Sequence, residues 1–280
     1  MPAVLITGAS RGIGRATSLR LERAGWDVYA TVRRPEDGES LMAEATARRV
    51  HPVEMDVSNE EQVTTLAERL PQRLDAVVNN AGIVVGSALE GLTPADLRRQ
   101  FEVNVFGAVA VTNAVLPKLR ESRGRVVFVS SINGRISLPL TGAYSASKFA
   151  LEAIADAWRV ELKPWGIKVV LVEPAMTDTD IWRSMPETVE AEAAALSDEH
   201  RKLYAKHLAG ARKMVPRLQR LAKPADGVAA TIERALTASR PRARYAVGAD
   251  VRVQVALSKA TPTRLMDRAS RMLSGIPSKA

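Results

Sequence analysis

Short apolar runs that alternate with helical patterns constrain the fold of this 280-residue chain more than any other feature. Runs of this kind are typical of strands buried on both faces of a parallel sheet. They cover residues 3–7, 26–32, 51–57, 74–78, 124–129 and 166–172, and residues 245–250 read as a last strand and turn. The links between elements are short, without an internal repeat or a linker. The pattern therefore predicts one α/β domain, a doubly wound parallel sheet of about seven strands with helices on both faces.

A glycine-rich turn, with Gly8, Gly12 and Gly14, follows the first apolar run directly and opens a helical pattern. Glycines between a strand and a helix let the backbone approach a phosphate, at which the first amides of the helix point. The spacing is G-x-x-x-G-x-G and no Lys-Ser/Thr pair follows, which excludes a Walker-type loop. A phosphate-binding turn and a plain tight turn are both open on these residues alone.

Two arginines, Arg33 and Arg34, end the second strand. Many dinucleotide folds have an acidic residue near this point, where it binds the adenosine ribose 2′-hydroxyl. Arg33 together with Arg11 instead favours a 2′-phosphate, and so NADP over NAD. The alternative is a pair of solvated arginines that open a loop.

Candidate functional groups follow several strands at the same edge of the predicted sheet. They are the glycine turn, Arg33, Asp56, Asn80, Ser131 and Pro174. Open α/β sheets bind ligands just beyond the carboxyl ends of their strands. This edge is therefore the predicted site.

Tyr144 and Lys148 are spaced four residues apart in a predicted helix, which puts them on one face. We expect the ammonium charge to lower the pKa of the Tyr144 phenol from its ordinary value of about 10 toward neutral pH. Such a phenol suits general acid–base chemistry. Taken alone, the pair could equally be a surface Tyr and Lys that share a helix face.

Composition excludes several classes of site. The chain has no Cys, which excludes disulfides, thiolate metal sites and Cys nucleophiles and fits a reducing cytoplasm. Its three His are scattered, so we expect no metal site. We expect neither a signal sequence nor a membrane span, because the apolar runs are too short, and we expect a cytoplasmic protein.

The motifs, taken together, resemble those of the short-chain dehydrogenase/reductase family, over about residues 3–180 and in the family's order. The motifs are Thr7-Gly8-x-x-x-Gly12-x-Gly14, Asn79-Asn80-Ala81-Gly82, Asn104, Ser131 and Tyr144-x-x-x-Lys148. The resemblance implies a Rossmann-type fold and an enzyme that transfers a hydride to or from nicotinamide.

The resemblance also implies roles for individual residues. Cofactor contacts would come from Gly8, Ser10, Arg11, Gly12, Ile13, Gly14, Arg33, Asp56, Val57, Asn80, Ala81, Gly82, Tyr144, Lys148, Met176 and Thr177. Tyr144 would exchange a proton with the substrate oxygen, and Ser131 would hydrogen-bond that oxygen. Lys148 would lower the Tyr144 pKa and hold the nicotinamide ribose, and Asn104 would hold a water linked to Lys148.

Two details of this comparison leave questions for the structure. Ser130 neighbours Ser131, but strand alternation puts them on opposite faces and the step of 13 residues to Tyr144 favours Ser131. The family usually has Pro-Gly after the sixth strand, whereas this chain has Pro174-Ala175, and Ala tolerates positive φ less well than Gly. The contacts predicted for Met176 and Thr177 depend on this turn.

The C-terminal third carries most of the basic charge. Residues 201–280 have a net charge of +14, whereas residues 1–200 have −5. We expect a catalytic domain over residues 1–250 that includes a helical substrate lid at 178–220, and a basic extension at 251–280. In the extension, Arg264, Arg268 and Arg271 lie opposite an apolar helix face. Such a helix packs on its own protein or on a partner subunit, or lies on an anionic membrane surface.

The leading hypothesis is an NADP-dependent oxidoreductase acting on a secondary alcohol or ketone, with a lid long enough for a bulky apolar substrate. The C-terminal region resembles, more loosely, members that act on steroid- or retinoid-like alcohols. One alternative is a non-catalytic NADP(H)-binding regulator. Another is a serine hydrolase, because Gly8-Ala9-Ser10-Arg11-Gly12 matches G-x-S-x-G, with His200 or His207 as base. The family suggests a homodimer or homotetramer, and no readout motif for nucleic acid accompanies the basic tail.

Overall fold

A seven-stranded parallel sheet forms the centre of the protein, in the strand order β3-β2-β1-β4-β5-β6-β9. The computed structural model describes residues 1–276, so the last four residues of the predicted extension 251–280 lie outside the described residues. The strands of this sheet are β1 (Ala3–Ile6), β2 (Asp27–Val32), β3 (Val50–Glu54), β4 (Ala76–Asn79), β5 (Arg125–Val129), β6 (Lys168–Pro174) and β9 (Arg244–Val247). A separate two-stranded sheet pairs β7 (Thr177–Asp178) with β8 (Lys223–Pro224). The predicted doubly wound parallel sheet is confirmed.

Helices cover both faces of the sheet. Those before the lid are α1 (Gly12–Arg23), α2 (Pro35–Glu44), α3 (Glu60–Thr64), α4 (Pro94–Phe101), α5 (Gly107–Ser122) and α6 (Gly142–Glu161). Those after β6 are α7 (Asp180–Arg183), α8 (Met185–Ala195), α9 (Asp198–Leu203), α10 (Ala205–Gln219), α11 (Ala225–Thr237), α12 (Ala249–Ala260) and α13 (Thr263–Leu273). Within residues 1–276, none of them combines the length and the apolar character that crossing a membrane requires.

The alternation of side chains along each strand creates two cores. In β1, Leu5 packs into the layer formed with α3, α5 and α6, whereas Val4 and Ile6 pack into the layer formed with α1, α2 and α11. Successive side chains of a strand point to opposite faces, so an uninterrupted apolar run satisfies both layers at once. This explains why β1 consists of apolar residues only.

The order of the strands in the sheet changes direction between β1 and β4. β1 pairs with β2 on one side and with β4 on the other, all parallel. The connections after β1 and β4 therefore leave on opposite faces and open a crevice at their carboxyl ends. The glycine turn follows β1, and Asn80 to Gly82 follow β4, so both border this crevice.

The elements predicted as lid and extension are helical. Helices α7 to α10 lie between β7 and β8, and α12 begins at Ala249, two residues before the predicted start of the extension. The end of α13 packs on the lid, because a Cβ on Gly210 of α10 would lie only 2.4 Å from the Gly275 carbonyl oxygen. The extension thus contacts the same helices that follow the sheet edge.

Candidate active site

The glycine turn forms a backbone cradle in which side chains have no room. Gly8 and Gly12 have φ of +66° and +56°, a left-handed conformation that favours glycine. A Cβ on Gly14 would lie 2.2 Å from the Gly8 carbonyl oxygen and 2.6 Å from Asn80 Nδ2. A Cβ on Gly12 would lie 3.1 Å from Thr179 Cγ2, at the start of the lid. This bare backbone at the start of α1 fits the pyrophosphate of a dinucleotide.

Asn80 holds the cradle to the sheet. Its Nδ2 donates to the carbonyl oxygens of Thr7, at 2.9 Å, and Gly8, at 3.0 Å. The Thr7 hydroxyl accepts from the backbone N–H groups of Asn80 and Ala81, each at 3.0 Å. Hydrogen bonds therefore join the turns after β1 and β4, and the Asn80 side chain stabilises the glycine turn directly.

The side of the cradle near β2 is basic and open. Arg33 is exposed and forms no ion pair within residues 1–276, whereas Arg34 forms a two-point pair with Asp37 at 3.1 Å. Arg11 is also largely exposed, with its Nε 3.9 Å from Asp180 of α7. Arg33 and Arg11 are thus available to an anionic group in this part of the crevice.

Asp56 and Val57 follow β3 at the same edge. Asp56 Oδ1 accepts from the Ser58 N–H at 2.9 Å and from the Ser58 hydroxyl at 2.6 Å. Val57 is buried. These contacts fix the turn to which the sequence assigns the adenine, and the assignment itself stays a prediction.

Ser131, Tyr144 and Lys148 converge beside the carboxyl end of β5. Ser131 follows the strand; its Oγ accepts from the Asn133 N–H at 3.1 Å, and its hydroxyl is close enough to the Tyr144 phenol to lower the pKa of that phenol. Lys148, one turn further along α6, has its Nζ 5.7 Å from the Tyr144 ring centroid and donates to the Val129 carbonyl oxygen at 2.9 Å. The structure therefore brings together the three side chains that the sequence pairs, and it places an O–H donor next to the phenol.

The predicted lowering of the Tyr144 pKa is wrong. Burial raises the pKa of the Tyr144 phenol above its ordinary value of 10.0, and the hydrogen bond with Ser131 opposes this rise. Burial also lowers the pKa of Lys148 from 10.5 to about 8, against the opposing charge of Glu152. Desolvation disfavours the charged form of both side chains, which the helical spacing alone could not reveal.

The buried Lys148 has a measurable consequence for stability. Because its folded-state pKa is lowered, the folded protein loses this proton near pH 8, whereas the unfolded chain keeps it to about pH 10.5. The cost of burying the charge therefore falls as pH rises through this window, and stability rises. Relative to Lys148→Met, the wild type should gain up to about 3 kcal/mol of unfolding free energy between these pH values, measured by urea denaturation. Parallel pH profiles for the two proteins would contradict this assignment.

Asn104 lies in a π-helical turn, Glu102–Phe106, that joins α4 to α5. Its Oδ1 accepts from the Ile83 N–H at 2.8 Å, and its Nδ2 donates to the Ile83 carbonyl oxygen at 3.0 Å and to Ser147 Oγ at 3.1 Å. The buried amide thereby ties the loop after β4 to α6, the helix that carries Tyr144 and Lys148. The water that the sequence assigns to Asn104 stays a prediction.

Ser130 points away from this cluster. A Cβ on Gly134 would lie 2.8 Å from Ser130 Oγ, and within residues 1–276 this buried hydroxyl has no hydrogen-bond partner. Ser131, rather than Ser130, is the serine that lowers the pKa of the Tyr144 phenol. The geometry thus favours Ser131 of the two serines.

The turn after β6 accommodates alanine. Ala175 is not among the residues with positive φ, which outside glycine are Arg48, Arg123 and Leu140 in the described part of the chain. The Met176 carbonyl oxygen accepts from the Lys223 N–H at 3.0 Å, and the Thr177 hydroxyl donates to the Ala175 carbonyl oxygen at 3.1 Å. The roles predicted for Met176 and Thr177 toward nicotinamide stay predictions.

Glu192 is a side chain near the site that the sequence did not single out. It lies on α8, and its Oε1 accepts from the Gly86 N–H at 2.8 Å. Burial raises the pKa of this carboxyl to about 7. A charged residue in an Ala- and Glu-rich helix gives no sequence signal, so only the fold reveals this contact between α8 and the loop after β4.

The histidines proposed as partners of Ser10 have other neighbours. His200 Nε2 lies 3.8 Å from Glu90, and the His207 ring packs against Tyr204 with 5.1 Å between centroids. Ser10 itself lies in the glycine turn, where its carbonyl oxygen accepts from Arg15 at 3.2 Å. These contacts give no support to a serine hydrolase.

Comparison with known proteins agrees with this geometry. A model of the short chain dehydrogenase family matches residues 2–190. The chain is 34% identical over 287 residues to retinol dehydrogenase 16 of Mus musculus, covering 99% of this chain and 90% of that protein. It is 33% identical over 278 residues to 3-ketodihydrosphingosine reductase of Bacteroides thetaiotaomicron, covering 98% of each. A solved short chain dehydrogenase from Burkholderia cenocepacia J2315, in complex with NADP, matches with a TM-score of 0.74 and 27% identity, covering 95% of this chain and 96% of that chain.

The chain belongs to the short-chain dehydrogenase family. The prediction of an oxidoreductase enzyme that acts on alcohol or ketone groups is confirmed, and the non-catalytic alternative loses its support.

Proposed function

We propose that this protein transfers a hydride between NADP(H) and a secondary alcohol or ketone, and that its substrate is bulky and apolar. The observation that carries the proposal is the convergence of Ser131, Tyr144 and Lys148, with Lys148 Nζ 5.7 Å from the Tyr144 ring centroid and the Ser131 hydroxyl close enough to lower the Tyr144 pKa. This cluster lies at the same sheet edge as the glycine cradle. In the mechanism we propose, the nicotinamide supplies the hydride when it is bound.

Residues of the chain carry out the proton transfer that accompanies hydride transfer. The raised pKa keeps the Tyr144 phenol protonated at neutral pH, so it can donate its proton to a substrate carbonyl oxygen. Ser131 donates a hydrogen bond to the same oxygen and orients it. With a pKa of about 8, Lys148 is mostly protonated at pH 7, and its positive charge stabilises the phenolate that donation leaves behind.

Arg33 carries the proposal of NADP rather than NAD. It is exposed and unpaired within residues 1–276 at the β2 end of the crevice, where a 2′-phosphate would need a cation. A relative of known structure was solved in complex with NADP, which supports the same preference.

Replacing Arg33 by Ser should raise the KM for NADPH about tenfold or more and leave the KM for NADH unchanged, because only NADPH bears the 2′-phosphate. Arg34→Ser is the matched control, since Arg34 is already paired with Asp37. Initial-rate measurements with both cofactors test this. An equal rise for NADH and NADPH would contradict the assignment.

The substrate class rests on the lid and on the relatives. Helices α7 to α10 follow β7 in the chain, and α8 contacts the loop after β4 through the hydrogen bond from the Gly86 N–H to Glu192. Relatives similar over nearly the whole chain are named for retinol and for 3-ketodihydrosphingosine, both long apolar molecules. A lid of this length over an apolar substrate would exclude water from the reacting carbonyl.

A substrate screen tests the proposed function. Long-chain, steroid-like and retinoid-like ketones and alcohols are offered with NADP(H) and NAD(H) in parallel, with small polar ketones as the comparison set. We expect turnover of the apolar set with NADP(H). Turnover restricted to small polar ketones, or to NAD(H), would overturn the corresponding part of the proposal.

Assembly and location are further parts of the proposal. Exposed apolar side chains on the α4–α6 surface, Phe106, Phe149 and Val160, support a homodimer or homotetramer through these helices. On α13, the apolar residues Leu265, Met272 and Leu273 are exposed, which supports contact with a partner subunit or an anionic membrane surface. The absence of Cys from the whole sequence supports a cytoplasmic location.

A further inference from the structure

A cavity of about 730 Å³ lies beside β9, between α11 and α12. Its polar lining is dominated by arginine. The lining residues with charged side chains are Arg135, Arg234, Arg240, Arg242, Arg244, Arg252 and Glu173. We call this the arginine cavity. None of its lining residues belongs to the candidate active site.

Two of the six arginines are paired with acidic side chains, the buried Glu152 and Glu173 and the partly exposed Asp156. Arg244 donates to Glu152 at 3.0 Å and to both oxygens of Asp156 at 2.7 Å. Arg135 lies 3.4 Å from Glu173 and 3.8 Å from Glu152. The fold thus supplies its own anions for the arginines at the floor of the cavity.

The other four arginines have no acidic partner within residues 1–276. Arg234 stacks on the ring of Tyr245, with its guanidinium carbon 5.7 Å from the centroid. Arg240, Arg242 and Arg252 have exposed side chains, and they come from the loop before β9 and from α12. Several guanidinium groups therefore surround one concavity with their charge uncompensated.

This arrangement suits a phosphate group better than a carboxylate. Arginine forks match the oxygens of phosphate and form short, charge-assisted hydrogen bonds with it. Three or four such groups around one space exceed the charge of a single carboxylate but match a phosphomonoester or a pyrophosphate. The apolar lining, Ala238, Tyr245, Ala246, Val255 and Ala256, offers a surface for the rest of the ligand.

We propose that the arginine cavity binds the phosphomonoester or pyrophosphate group of a ligand other than the hydride-transfer cofactor. The C-terminal third owes part of its excess of basic charge to these side chains. The proposal is independent of the identity of the substrate.

The test measures binding of pyrophosphate to the full-length protein saturated with NADP⁺, which keeps the probe out of the cofactor crevice, by isothermal titration calorimetry at about 0.15 M salt, where long-range attraction is screened. Arg240→Gln, Arg242→Gln and Arg252→Gln are combined in one cavity variant. The matched control combines Arg264→Gln, Arg268→Gln and Arg271→Gln on α13, with the same change in charge. A second control, Arg11→Gln with Arg33→Gln, removes the cations of the cofactor crevice.

We expect the cavity variant to weaken pyrophosphate binding more than about tenfold, and both controls to retain it. Cosedimentation with phosphatidylcholine vesicles, with and without phosphatidate, separates the two sources of the group. Cosedimentation of the protein with phosphatidate vesicles that depends on the three cavity arginines identifies a lipid headgroup as the source. Pyrophosphate binding without such cosedimentation identifies a free ligand. No binding by the wild type, an equal loss in the α13 control, or a loss only in the crevice control would overturn the proposal.

Discussion

Replacing Tyr144 by Phe is expected to lower kcat about 10³-fold or more, while the affinity for NADPH changes less than about twofold. Phenylalanine keeps the ring against Lys148 but removes the only proton that the phenol could give to the substrate oxygen. General acid catalysis by a positioned side chain contributes about 10²–10⁴-fold. The loss should lie at the upper end of that range, because the remaining hydroxyl, that of Ser131, is an aliphatic alcohol and a much weaker acid than a phenol.

The measurement pairs single-turnover kinetics with a fluorescence titration of NADPH. Tyr29→Phe is the matched control, since Tyr29 stacks on His51 in β2 and β3 and takes no part in the cluster. Ser131→Ala should lower kcat by a smaller factor, because it removes an orienting hydrogen bond and leaves the proton donor. Turnover by the Tyr144 variant at the wild-type rate would contradict the role of Tyr144 as proton donor, and with it the proposed function.

The sheet and the cradle could be predicted because their determinants are local. The apolar run at β1 specifies a strand buried on both faces, and Gly8, Gly12 and Gly14 specify a turn that only glycine can make. The separation of Tyr144 and Lys148 by four residues specifies a shared helix face. Parallel strands then bring the polar residues at their ends to one edge, without further information from the sequence.

The electrostatics could not be predicted in the same way. The expected direction of the Tyr144 pKa followed from the charge of Lys148, but burial acts on both side chains and reverses it. Burial depends on which elements cover the site, and spacing along one helix does not contain that information.

Contacts between segments that are far apart in the chain could not be predicted from the sequence either. The cluster of Arg135, Glu152, Glu173 and Arg244 draws on a loop, on α6, on β6 and on β9, and its first and last members are 109 positions apart in the chain. Glu173 shares Arg244 with Glu152, and burial together with the Glu152 charge raises the pKa of Glu173 to about 7. Each of these residues alone reads as an ordinary surface charge.

Replacing Gly14 by Ala should lower kcat/KM about 10²-fold or more and destabilise the fold by about 3 kcal/mol. The added methyl would lie 2.2 Å from the Gly8 carbonyl oxygen and 2.6 Å from Asn80 Nδ2. Both belong to the hydrogen-bonded core of the cradle, so relief requires the turn after β1 to move away from α1. Overpacking of this kind costs about 1–3 kcal/mol, and a misplacement of about 1 Å in a positioning element can cost about 10²-fold in rate.

Gly227→Ala supplies the matched control, because Gly227 lies in α11 and a Cβ there meets nothing within 4 Å. That variant should gain about 0.5–1 kcal/mol of stability, since alanine restricts the unfolded chain and favours the helix. Urea denaturation and an NADPH titration of both variants separate the two effects. A Gly14 variant that binds NADPH like the wild type would contradict the prediction that cofactor binding needs the close approach of Gly14 to the Gly8 carbonyl oxygen. If only the Gly14 variant loses both stability and NADPH binding, cofactor binding depends on the close approach of α1 to the turn after β1. That approach is possible because residue 14 has no side-chain methyl group.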